Sequence, residues 1–120
     1  MSFINVYRCA APEAIIETVG NAEGSLLLAF ASSKLDLQET VSALRRTGGR
    51  AVGCTTAGEI IGDENGARAY DGSIVVVEFG IDASAYDAKL FPLEGGDYRE
   101  PGARVGEWAR EKFANPVVFA

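Results

Sequence analysis

Residues 25–54, "SLLLAFASSKLDLQETVSALRRTGGRAVGC", decide the fold. The segment opens with a continuous apolar run, residues 25–32, bounded by polar residues. That is how a strand covered on both faces reads. It closes with a shorter apolar run, residues 50–54. Between them lies a helix with both ends marked. Asp36 is placed to accept the N–H of Glu39 as N-cap, with Glu39 reaching back in a capping-box-like exchange. Leu37, Val41 and Leu44 fall at i, i+4 and i+7, one apolar stripe. Arg45 and Arg46 put positive charge at the C-terminal end, which suits the helix dipole, and Gly48-Gly49 stops the helix. Strand, helix, strand is a βαβ unit, whose strands run parallel with a right-handed crossover.

Upstream, "FINVYRCA" (residues 3–10) alternates apolar and polar side chains as a half-buried strand does. Pro12 suits the first turn of a short helix, whose apolar face is Ile15, Ile16 and Val19 and which Gly20-Asn21 ends. Downstream, residues 62–72 are rich in turn formers, with Asn65-Gly66 the strongest signal. Residues 73–80, "SIVVVEFG", form another buried strand, and residues 85–93 alternate as a strand that would pair antiparallel with it. Val105, Trp108, Ala109, Lys112 and Phe113 outline an amphipathic helix over residues 102–114, with Trp108 as a core anchor. "NPVVFA" (residues 115–120) begins a buried strand and stops, as a tucked-in last strand or a chain cut within a domain would. The expected class is α/β: a mixed β-sheet containing a βαβ unit, with helices packed on the sheet, in a single domain over residues 1–120.

Composition narrows the function. Apolar residues are 48% and charged residues 23% of 120, which is ordinary for a globular domain and excludes disorder. The net charge of -6 repels phosphate backbones, so no nucleic-acid partner is expected. The longest apolar runs are too short to span a bilayer, no signal peptide is visible, and no membrane partner is expected. Cys9 and Cys54 are too few and too far apart for a disulfide framework or a structural zinc site, which fits a reducing cytoplasm. The chain has no histidine. That removes the commonest general base and metal ligand and any Ser-His or Cys-His dyad. No metal or cofactor site and no catalytic residue is expected.

The βαβ reading makes a site of "CTTAGE". Residues 55–59 then form a loop at the carboxyl end of the second parallel strand, where open α/β sheets place ligands. Ser32 and Ser33 end the first parallel strand and lie on the same sheet edge. The candidate binding residues are Ser32, Ser33, Cys54, Thr55, Thr56, Ala57, Gly58 and Glu59. Thr55 and Thr56 offer hydroxyls that donate and accept, Gly58 lets backbone N–H groups approach a ligand, and Glu59 would suit an amine. Against this stands a plain turn, with a threonine cap, Glu59 in a first helical turn and Ser32-Ser33 capping the Asp36 helix. Cys54 reads first as a small buried hydrophobe and second as a nucleophile. The segment lacks GxxxxGK[ST], so phosphate binding is unsupported. Asp63-Glu64, and Asp71 with Glu59, read as solvated loop carboxylates rather than an acid/base pair.

"SLLLAFASSKLDLQETVSALRR", then "AVGCTTAGEI", then "DGSIVVVEFG" together resemble the N-terminal part of a FIST domain. The most specific piece is Gly53-Cys54-Thr55-Thr56-Ala57-Gly58-Glu59, and the likeness covers roughly residues 25 to 80. The resemblance implies a sensory module of prokaryotic signalling proteins that binds a small ligand, with amino acids the proposed class, and not an enzyme. It implies partners such as a histidine kinase, a chemoreceptor or a cyclic-di-nucleotide enzyme, and a chain that is the N-terminal portion of a longer FIST N domain. Some members bind haem through a histidine; lacking one, these residues are not expected to. Two further readings stay open: a protein-interaction scaffold in signalling and a Cys54-dependent thiol enzyme.

Overall fold

The structure, a computed structural model, describes residues 2–119 and divides into two compact units, Met1–Asp87 and Ala88–Ala120. The first unit is built in the order β1 (Phe3–Cys9), a 3-10 turn at Pro12–Ala14, α1 (Ile15–Val19), β2 (Leu26–Ser32), α2 (Leu37–Arg46), β3 (Arg50–Thr56), β4 (Glu59–Asp63), β5 (Gly66–Tyr70) and β6 (Ile74–Gly80). A short 3-10 turn, Ala83–Ala85, follows. Four strands make one sheet in the order β1-β6-β2-β3, and β4-β5 form a separate antiparallel hairpin. β2 and β3 are parallel and joined by α2, the βαβ unit read from residues 25–54. β6 lies antiparallel between β1 and β2.

The helices explain where the core sits. Leu27, Ala29 and Ala31 of β2, Ile74 and Val76 of β6 and Cys9 of β1 point to one face, where they bury against Ile15 and Val19 of α1 and Ala43 and Leu44 of α2. The helices of this unit therefore cover the apolar run of β2 on one face. Its other face carries Leu26 and Leu28, half-buried, and Phe30, exposed. Burial pushes the Cys9 thiol pKa up, as befits a thiol used as a small hydrophobe. On the helix side of β6, Glu78 is also buried, accepting hydrogen bonds from Ser25 Oγ at 2.9 Å and Tyr7 OH at 2.8 Å. Burial, and then the bond and charge of Glu78, raise the Tyr7 phenol pKa.

α2 begins as its sequence implies: Asp36 Oδ1 accepts the Glu39 N–H at 3.0 Å. Its buried side differs. Leu37 is 51% and Val41 37% exposed, whereas Thr40, Ala43 and Leu44 are buried, with Thr47 one turn on. Thr40 and Thr47 can face the core because their hydroxyls donate back to the carbonyls of Asp36 (2.8 Å) and Leu44 (2.6 Å), leaving only methyl groups to pack. At the helix end, Gly48 holds φ +81, which favours glycine.

Four further expectations are corrected. Residues 62–72 are not an open turn-rich loop but most of the β4-β5 hairpin, turning at Glu64-Asn65. Residues 85–93 form no strand: β1 and β2 occupy both edges of β6, so no ladder is left for a third, and Leu90 is exposed. In the second unit, α3 (Arg99–Lys112) begins three residues earlier than its apolar spacing implies and ends two earlier. Trp108 is half-buried, edge-to-face with Phe91 at 5.6 Å between centroids. Residues 115–119 are not a buried strand; Val117 and Phe119 are largely exposed, and Ala120 lies outside the described residues.

Candidate functional site

The parallel register brings the two polar segments together. Ser32, the last residue of β2, lies opposite Thr56, the last residue of β3, and the Ser33 N–H donates to the Thr56 carbonyl at 3.0 Å. The segment 55–59 is not a free loop. β3 continues through Thr55 and Thr56, only Ala57-Gly58 turn, and Glu59 already starts β4. The extension follows from pairing: β2 runs to Ser32 and offers β3 a full-length neighbour.

Gly53 has a steric reason to be glycine. A Cβ there would stand 1.9 Å from the carbonyl oxygen of Ala29 on β2. The close approach keeps β2 and β3 tight just before the strands end.

Glu59 is the centre of the arrangement. It is 3% exposed, and both carboxylate oxygens are engaged. Oε1 accepts from Thr56 Oγ1 at 2.6 Å, and Oε2 accepts from Ser73 Oγ at 2.9 Å and from the Ser73 N–H at 3.2 Å. Burial alone would raise the Glu59 pKa, but these bonds outweigh it and hold the carboxyl below its ordinary value. The Ser73 carbonyl in turn accepts the Ser32 N–H at 2.9 Å. One ionised carboxylate at the start of β4 thus ties the end of β3 to the residue that precedes β6, whose carbonyl in turn holds the end of β2. Above it, Lys34 and Asp71 form an exposed ion pair.

The predicted residues divide accordingly. Ser32 is buried, with its Oγ accepting the Lys34 N–H at 3.2 Å, and Thr56 and Glu59 belong to the clamp. Ser33, Cys54, Thr55, Ala57 and Gly58 are exposed, so Cys54 is not the buried hydrophobe that its first reading implied. Of the carboxylates read as loop residues, Asp71 is the one that meets Lys34, Glu64 is exposed at the hairpin turn, and the Asp63 side chain lies outside the described residues. Sequence reasoning missed Ser73, Tyr70 and Arg8. Tyr70 pairs with Glu59 across the hairpin, and the Arg8 guanidinium lies 3.8 Å from the centroid of its ring. Only the hairpin and the central position of β6 bring these three to the site, and neither is marked by a local motif. Among the described residues no group of three or more His, Cys, Asp or Glu side chains is placed to hold a metal ion, and no helix is long and apolar enough to cross a membrane.

No curated protein and no solved structure matches the chain. The FIST N domain model does, over residues 25–119, a span that takes in β2, α2, the Thr56–Glu59–Ser73 clamp, β6 and α3. FIST domains are generally sensory domains of signal transduction and not an enzyme family. By the match over most of its length, this chain belongs to the FIST N domain family.

Proposed function

We propose that this chain is the ligand-binding part of a cytoplasmic sensory domain, and that its ligand is a small molecule with a carboxylate or similar polar head, an amino acid being the leading class. The supporting observation is the meeting of two polar strand ends, Ser32-Ser33 and Thr55-Thr56, on one edge of a parallel pair, where open α/β sheets take their ligands. In this reading the exposed hydroxyls of Thr55 and Ser33 and the backbone of Ala57-Gly58 meet the ligand. Glu59 acts behind them. Its oxygens are taken by Thr56 and Ser73, so it holds the strand end in place rather than binding an amine. The two free cysteines fit a reducing compartment. The output would pass to a signalling partner such as a histidine kinase, a chemoreceptor or a cyclic-di-nucleotide enzyme.

The test is a thermal melt of the chain with a panel of amino acids and small carboxylates. A ligand present at about 100 times its Kd stabilises the folded state by about 2.7 kcal/mol, a shift of several degrees. The expected result is a shift for at least one compound that Thr55→Ala abolishes while leaving the unliganded Tm within about a degree, since Thr55 is exposed. A cooperative melt that no compound moves, or a shift indifferent to Thr55→Ala and Ser33→Ala, would overturn the reading.

A further inference from the structure

A ligand with both charges needs a cation and a carboxylate to meet them, and Glu59 is not available as that carboxylate, because Thr56 and Ser73 engage both its oxygens. The ion pair above the clamp supplies one of each. The side chains of Lys34 and Asp71 are 67% and 57% exposed. Lys34 is fixed by its backbone at the end of β2: its N–H donates to Ser32 Oγ at 3.2 Å, one residue after the Ser33 N–H meets the Thr56 carbonyl. Asp71 directly follows Tyr70, the last residue of β5, whose carbonyl oxygen lies 3.4 Å from where a Cβ on Gly58 would stand. Its charge also reaches the clamp. After burial, it too acts to raise the Glu59 pKa, against the bonds from Thr56 and Ser73. Lys34 thus adjoins Ser33, and Asp71 lies by Gly58, two of the groups read as meeting the ligand. All of these residues belong to the first unit.

Resting on the ligand reading above, we propose that Lys34 and Asp71 determine the specificity of this site: the pair parts to admit an α-amino acid, Lys34 taking its carboxylate and Asp71 its ammonium. Charge decides against simpler ligands. A carboxylate alone would take Lys34 and leave Asp71 without its cation, beside the ionised Glu59. An amine alone would take Asp71 and leave Lys34 without its anion. A molecule carrying both charges replaces the pair at both ends. Spacing decides for the α arrangement. Lys34 Nζ and Asp71 Oδ2 are in direct contact, so a ligand whose two charged groups share one carbon needs the side chains to part by little. An ion pair this exposed holds little stability, and opening it costs little. The surroundings are balanced as well. The Arg8 guanidinium stacks on Tyr70, 3.8 Å from its ring centroid, so Arg8 and Lys34 offset Glu59 and Asp71, which suits a ligand without net charge.

The test is isothermal titration of the chain with each standard α-amino acid, with the small carboxylates of the thermal melts, and with the N-acetyl and carboxamide derivatives of the amino acid that binds best. The derivatives remove the ammonium and the carboxylate charge in turn, and each should bind about tenfold or more weakly than its parent. In Asp71→Asn the parent should fall to the level of its N-acetyl derivative, and in Lys34→Met to the level of its carboxamide. Far-UV circular dichroism melts check that both variants fold. A derivative that binds the native chain as tightly as its parent, a parent whose affinity neither substitution changes, or binding by small carboxylates alone would overturn the proposal; the ligand reading itself would stand if Thr55→Ala still abolished that binding. No binding by any compound would overturn both.

Discussion

Glu59→Ala removes one acceptor shared by three donors. Thr56 Oγ1, Ser73 Oγ and the Ser73 N–H all end on this carboxylate, at 2.6, 2.9 and 3.2 Å. A hydrogen bond to a charged group contributes about 1.5–3 kcal/mol, but three on one carboxylate do not add fully. The two hydroxyls can rotate toward water once the side chain is gone; the Ser73 N–H cannot, and Ser73 is buried. The expected loss is therefore about 3 kcal/mol for Glu59→Ala and about 1 kcal/mol for Glu59→Gln, which keeps the shape and one acceptor oxygen. At about 4 °C per kcal/mol, these are Tm losses of about 12 °C and about 4 °C. Far-UV circular dichroism in urea and heat is the assay, because the only tryptophan, Trp108, belongs to the second unit. The pH dependence supplies a second reading. The folded-state pKa of Glu59 is lowered, so its stabilisation is present above the unfolded glutamate value of about 4.3 and is lost as pH falls through the lower folded value. The gap between the native chain and Glu59→Gln should be full at pH 7 and narrow on acidification below about pH 4. Losses under about 0.5 kcal/mol for both variants, or a gap that does not narrow in acid, would refute the clamp.

Other substitutions test the rest of the fold. Leu27→Ala empties a fully buried position and should cost about 2–4 kcal/mol, whereas Leu37→Ala, at a half-exposed one, should cost under about 1 kcal/mol; equal losses in urea melts would contradict the orientation of α2. Gly53→Ala sets a methyl group against the Ala29 carbonyl and should destabilise by about 1–3 kcal/mol, while Ala51→Gly on the same strand, with no such contact to relieve, should change stability by less than about 1 kcal/mol. In native protein, one thiol of two should react promptly with an aromatic disulfide reagent, Cys54, and Cys9 should react only on unfolding; labelling followed by peptide mapping distinguishes them.

What could be read from the sequence was what is local. The Asp36 cap, the arginines at the end of α2 and the apolar runs on either side of it lie within 30 residues, and they led to the βαβ unit and to the side-by-side placement of Ser32 and Thr56. The buried face of α2 was misread because a threonine scores as polar, although Thr40 and Thr47 satisfy their hydroxyls on their own helix and bury the rest. The β4-β5 hairpin was hidden because Ile60 and Ile61 stand side by side in β4 and β5 offers only Tyr70 beside small residues and Arg68, so neither strand alternates, and backbone pairing rather than a side-chain pattern defines them. Ser73 and the Arg8–Tyr70 pair were out of reach for another reason: they become neighbours of the site only once β6 is known to lie between β1 and β2.

That insertion of β6 has a consequence for how the chain comes into being. Phe3 waits for Gly80, and Leu26 waits for Phe79. As the polypeptide emerges from the ribosome, β2, α2 and β3 can associate early, since their contacts are close in sequence. β1 and the second edge of β2 have no partner until the last residues of β6 are made. The middle of the sheet is thus the last part to close, and loop closure on that scale is slow compared with the local βαβ step. Until then the apolar run of β2 has an unpaired edge. A nascent chain from which β6 has not yet emerged should therefore engage holding chaperones, and emergence of the last residues of β6 should release it.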